Sequence, residues 1–153
     1  MLFILIGKTA SGRNAIKNEL VKRGFTEYKP CIEQIKAGKP SLKLDKSRNY
    51  VTAFDIGDNH IDADGAVALE EFYRDTMTIV LRTGDKERYK RELEKRKKEG
   101  ETLNEAVWKK MCQIEKRSFR EMLKVCDAAI DTEQMTFEQI ADRIIASGLK
   151  GWQ

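Results

Sequence analysis

The amino-acid sequence predicts an α/β fold: a parallel β-sheet flanked by helices, forming a single domain over residues 1–153. Three observations predict it. Residues 2–6 and 77–81 are short apolar runs, and the first has nothing polar on either face, as a strand covered on both sides reads. Stretches of helical period alternate with short β-branched or aromatic runs, which is the order of a parallel sheet. A chain of 153 residues is also long enough to bury a core of its own.

After the first strand, a helix is expected over residues 13–23, with Ile16 and Leu20 facing the core and Gly24 as its stop. Residues 25–28 read as a short second strand. From Lys29 to Tyr50 both prolines, Gly38 and five lysines reduce the pattern to exposed connection, apart from a short helix around residues 32–37. Residues 50–54 carry the β-branched and aromatic side chains of a third strand. Ala66, Val67, Leu69, Phe72 and Tyr73 then keep a helical period up to the strand at 77–81. Residues 85–98 read as a charged helix whose only apolar stripe is Tyr89 and Leu93. Thr102-Leu103-Asn104-Glu105 has the form of a capping box, opening a long helix on which Trp108, Cys112, Phe119 and Leu123 share a face. Residues 128–130 are the last strand. A second capping box, Thr136 to Gln139, opens a final helix that Gly148 closes.

The stretch that organises the chain is Gly7-Lys8-Thr9-Ala10-Ser11-Gly12-Arg13-Asn14. A strand, a glycine-bounded loop and a helix N-terminus make an anion-binding corner, because backbone N–H groups turn inward and the helix dipole adds positive potential. In the phosphate-loop pattern G-x-x-x-x-G-K-[ST], Gly7 and Gly12 fit, while Arg13 replaces the lysine and Asn14 the magnesium-binding hydroxyl. Ala15 supplies no substitute hydroxyl. Backbone binding of phosphate needs no particular side chain and survives these exchanges. A planar arginine fork is not a compact ammonium, so the rest of the chemistry changes.

The composition narrows the partners. A net charge of +4, with acids and bases interleaved, suits a small anionic ligand better than nucleic acid. Cys31, Cys112 and Cys126 form no C-x-x-C pair, and with His60 the only histidine there is no zinc set. They read as reduced thiols of a cytoplasmic protein. Met1 leads straight into the first strand without a signal peptide, and no apolar run approaches membrane-spanning length.

Three pieces together resemble the guanylate kinase family of P-loop nucleoside monophosphate kinases: the strand and loop at residues 5–16, Ile61-Asp62-Ala63-Asp64-Gly65-Ala66, and the order of elements from Thr78 to the C-terminal helix. The resemblance implies a P-loop kinase fold with a helical lid and long helix at about 85–125 and a reduced acceptor-binding region at about 25–57. It implies ATP and Mg2+ as cofactors, with Gly7, Lys8, Thr9, Ala10, Ser11, Gly12, Arg13 and Asn14 around the phosphates. Asp62 would be the metal-side carboxylate, with Asp64 a weaker alternative, and Asp131 and Thr132 would lie beside the base. Arg88, Arg91 and Arg96 would be lid arginines, and Arg13 would replace the lysine at the β- and γ-phosphates. Phosphoryl transfer needs this positioning and positive charge more than covalent help.

The departures are as informative. The family's T-T-R-x-x-R and G-x-D-Y segments are absent between Gly24 and Val51, and Trp108-Lys109-Lys110 stands where a second pair of arginines is expected. The leading reading is a guanylate kinase-like nucleotide-binding protein that transfers a phosphoryl group from ATP to a nucleoside monophosphate or similar small acceptor. The alternative is a catalytically silent kinase-like protein that binds a nucleotide or protein partner as a sensor or inhibitor. Nucleic-acid binding through residues 86–98 ranks last, since Glu87, Glu92, Glu94 and Glu99 dilute the field there.

Overall fold

The apolar run after Met1 lies where its lack of polar residues requires, at the centre of a five-stranded parallel sheet. Its strands are β1 (Leu2–Gly7), β2 (Thr26–Glu27), β3 (Tyr50–Asp55), β4 (Thr76–Arg82) and β5 (Ala128–Asp131), in the order β2-β3-β1-β4-β5. Among the described residues, helices α1 (Arg13–Lys22), α2 (Ala63–Phe72), α3 (Asp85–Lys98), α4 (Glu105–Val125) and α5 (Phe137–Lys150) flank the sheet. The computed structural model describes residues 1–29, 31, 33, 34, 37, 43–56, 61–73 and 75–150, the last three by backbone alone. No helix among them is long and apolar enough to cross a membrane.

β1 has a parallel neighbour on each side, so its side chains fill two cores. Leu2, Ile4 and Ile6 pack with Ala66 and Leu69 of α2 and Met122 of α4, while Phe3 and Leu5 pack with Ile16 and Leu20 of α1 and Ile140 and Ile144 of α5. Each buried Leu, Ile, Phe or Met side chain among them contributes about 1.5–3 kcal/mol. Parallel running also gathers the strands' C-terminal ends at one edge. There Gly7 pairs with Asp55 and Leu81, and Arg82 with Asp131. In open α/β sheets ligands bind at this edge.

Several boundaries differ from the sequence reading. β2 is only Thr26–Glu27, although Tyr28 N–H still donates to Val51 C=O at 2.9 Å. Asn104, not Thr102, caps α4, its Oδ1 accepting from Ala106 N–H at 3.0 Å and Val107 N–H at 3.2 Å. The box at Thr136 does form, with Gln139 N–H donating to Thr136 Oγ1 at 3.2 Å and Thr136 N–H to Gln139 Oε1 at 2.9 Å. α5 runs on through Gly148 to Lys150. The inward side of α3 is charged: Arg88 and Glu92 are buried while Leu93 is 44% exposed. On α4 the buried residues are Trp108, Glu115 and Met122, spaced by sevens, with Cys112, Phe119 and Leu123 beside them half-buried. Of the helix expected at 32–37, Glu33, Gln34 and Ala37 are described, with Ala37 N–H donating to Glu33 C=O at 3.0 Å; Ile32 and His60 lie outside the described residues.

Candidate functional site

The loop between β1 and α1 is held by its carbonyls. Arg13 donates through Nη1 to Lys8 C=O at 3.0 Å and Gly7 C=O at 3.4 Å. Arg88 Nε donates to Thr9 C=O at 2.9 Å, Arg91 Nη1 to Ala10 C=O at 3.3 Å, and Thr83 Oγ1 to Ser11 C=O at 3.3 Å. Ile16 N–H takes Gly12 C=O at 3.0 Å. Every carbonyl from Gly7 to Gly12 thus has a donor. The N–H groups divide differently. Ser11 N–H returns to Lys8 C=O and Thr9 N–H meets a carboxylate oxygen of Glu115 at 2.8 Å, whereas those of Ala10, Gly12, Arg13 and Asn14 meet no acceptor among the described residues.

Backbone conformation turns those amides together. Gly12 has φ +88° and Ala10 φ +63°, both left-handed, and Gly12 precedes α1 with no side-chain cap. Successive amides in such a turn make an anion-binding concavity, here at the positive end of a helix. A side chain at Gly12 is also excluded by contact, since a Cβ would sit 2.7 Å from Phe137 Cε1. Ser11 is buried against Gly7, and its hydroxyl has no partner among the described residues.

The arginines proposed for catalysis take separate places. Arg88 is fully buried over the Trp108 ring, with Nη2 on Glu115 Oε1 at 2.6 Å and Nη1 on Asp85 Oδ1 at 2.8 Å. Arg91 reaches the loop, lies over the Phe137 ring and pairs with Glu87 at 3.3 Å. Arg96, more than a turn further on, pairs with Glu92 at 3.0 Å and Glu101 at 3.9 Å and has no hydrogen bond or ion pair to the loop among the described residues. Arg13 turns its other nitrogen to Asp55 in an ion pair. Burial pulls the Arg13 pKa below its ordinary value, with the Asp55 and Glu115 carboxylates opposing that shift.

The acidic residues Asp62, Asp55 and Asp131 each take a separate partner. Asp62 Oδ1 accepts from Gly65 N–H at 2.8 Å and caps α2. Asp55, which closes β3 in register with Gly7, is the strand-end carboxylate that meets the loop. Beside the loop opens a cleft of ≈ 710 Å³, lined by Lys8, Gly84, Phe119, Asp131, the segment 133–135 and Arg143 among others. Asp131 is ion-paired with Arg82 at 3.1 Å, while Thr132 is buried with its hydroxyl 2.5 Å from that of Thr83. Glu133 accepts from Gly84 N–H at the start of α3.

Sequence reasoning passed over Asp55, Thr83 and Glu115. Asp55 had a signal, an acid immediately after an apolar strand. Glu115 had one too, seven residues from both Trp108 and Met122 and so on their helix face.

No family model matches the chain, and no curated protein matches it. Its fold is nonetheless shared with solved structures. An uncharacterized protein from Eubacterium ventriosum superposes with a TM-score of 0.61 at 11% identity, over 98% of each chain. A gluconokinase from Sinorhizobium meliloti gives 0.58 at 11% identity, over 97% of this chain and 91% of that one. A deoxyadenosine kinase from M. mycoides, solved with bound dCTP, gives 0.52 at 15% identity, over 96% and 100%. The chain has the α/β fold of P-loop kinases.

Proposed function

We propose that this chain is a nucleotide-binding protein of the guanylate kinase-like kind that holds its ligand without efficient phosphoryl transfer. The observation that carries the binding is the loop itself. Its carbonyls are all tied to the protein, and the amides of Ala10, Gly12, Arg13 and Asn14 are left for an acceptor at the start of α1. Phosphates fit these amides, and the adjoining cleft, with Lys8 and Arg143 on its walls, accommodates the rest of a nucleotide towards Asp131 and Met135. The deoxyadenosine kinase of the same fold was solved with a nucleotide, dCTP, bound.

A specific observation ranks the silent reading above the enzyme. Transfer requires cations aimed at the moving phosphoryl group. In this chain Arg13, Arg88, Arg91 and Arg96 are all engaged by loop carbonyls or carboxylates. Glu115 moreover places an anion on Thr9 N–H. Transfer from ATP to a nucleoside monophosphate remains the rival, and it requires those arginines to change partners.

Calorimetric titration with ATP, GTP and the monophosphates tests the proposal, with Gly12→Val as the control variant. A β-branched residue at φ +88° is strained by about 1–2 kcal/mol and its Cβ meets Phe137, which displaces the loop; the variant should lose binding, with circular dichroism as the check that the sheet and helices are retained. Unchanged affinity in that variant removes the phosphate-loop assignment. Release of ADP from ATP in the presence of a monophosphate should stay at the blank rate. Steady turnover would put the enzyme first.

A further inference from the structure

We infer that the loop takes its anionic ligand without a divalent cation, because the guanidinium of Arg13 already stands on the carboxylate where magnesium would be held. This inference rests on the reading of residues 7–14 as a phosphate site.

Magnesium in phosphate loops is held by a loop hydroxyl and a strand-end carboxylate, together with ligand phosphates and waters. The residues present do not fit that shell. Asn14 stands at the hydroxyl position and Ala15 follows it. The strand-end carboxylate at the loop is Asp55, and it is ion-paired with Arg13. Asp62, the other candidate, accepts from Gly65 N–H as the cap of α2.

Arg13 is also fixed. Besides Asp55 it serves Lys8 and Gly7 C=O, and its side chain is only 14% exposed. A dication arriving at Asp55 would meet the guanidinium as a like charge and strip a largely buried arginine of its partner, both unfavourable. The positive potential that magnesium would bring is supplied instead by covalently attached groups: Lys8 at the cleft wall and the uncapped start of α1.

The test is calorimetric titration of the full chain with ATP and with inorganic tripolyphosphate, each in EDTA and in excess Mg2+. The dissociation constants in the two media should agree within about twofold. The double variant Arg13→Lys with Asn14→Ser, which restores a loop ammonium and hydroxyl and removes the guanidinium from Asp55, should bind ATP about tenfold or more tighter with Mg2+ than in EDTA. Wild-type binding that is tenfold tighter with Mg2+ overturns this inference and leaves the phosphate site standing. A double variant that binds without gaining magnesium dependence overturns the assignment to Arg13 and Asn14. No binding of either probe in either medium overturns the phosphate-site reading, and this inference with it.

Discussion

β1 and the α3–α4 pair are buried by opposite means. The strand is covered because residues 2–6 are apolar, and neighbours on both faces remove them from water. The helices instead turn charges inward. Arg88 is 0% and Glu115 4% exposed, while Val107 and Ile114 on α4 stand 62% and 59% exposed. Apolar burial is a property of one segment and leaves a period in its sequence. A buried ion pair is a property of two segments, and neither one shows it alone.

Arg88 separates the two modes of burial most strongly. Leu5→Ala in the centre of β1 should cost about 2–5 kcal/mol by lost transfer energy and a cavity. Arg88→Ala should cost as much, about 3–5 kcal/mol, because Glu115 is left as an uncompensated buried charge. The two differ in how they are rescued. Arg88→Met combined with Glu115→Leu removes both charges and should recover part of the loss, since an apolar pair often replaces a buried ion pair without penalty, while Thr9 N–H and C=O lose their partners. Urea unfolding of the three variants measures this. A loss below about 1 kcal/mol for Arg88→Ala would mean that the pair behaves like a surface salt bridge, and the contrast with β1 would collapse.

The same contrast explains how much was legible beforehand. The five-stranded parallel sheet, the glycine-bounded loop and the order of the helices follow from apolar period and glycine position, and these are local signals. The loop's environment is not local. Asp55 reaches Arg13 from a strand 42 residues further along, and Glu115 reaches Thr9 from 106 residues away. The pattern therefore marked Gly7 and Gly12 but was silent on which partners Arg13 and Arg88 would take. Asp62 is engaged locally: its carboxylate, three residues before the Gly65 N–H, accepts that N–H as the cap of α2.

A smaller effect sharpens the boundary between local and distant signals at the start of α4. Thr102-Leu103-Asn104-Glu105 offers two caps, and the helix uses Asn104. Asn104→Ala should cost about 1 kcal/mol, through loss of the acceptor for two N–H groups. Thr102→Ala should stay within about 0.5 kcal/mol, the range of surface changes. Thermal melts of the two single variants separate them. The reverse ranking would mean that the helix starts at Thr102 in solution.

The smallest expected effect tests whether charge turned inward always stabilises. On the α2 side of the sheet Glu70 lies against Thr78, whose hydroxyl donates to it at 2.8 Å, and Asp127 approaches the same residue through Thr78 N–H at 2.7 Å. Burial raises the Glu70 pKa first, the Thr78 hydroxyl opposes, and the Asp127 carboxyl raises it further. A carboxyl raised in the folded state favours folding while it is protonated, below its ordinary value near 4.5, and that contribution is lost as pH rises through the folded value. Glu70→Gln keeps an acceptor for Thr78 and carries no charge. It should raise Tm at pH 7 by no more than about 2 °C, and the gain should vanish below the ordinary glutamate range. A loss of stability at pH 7 would show that the charged form of Glu70 is held favourably, as Glu115 is by Arg88. Inward charge would then stabilise on both sides of this molecule, with or without an arginine opposite.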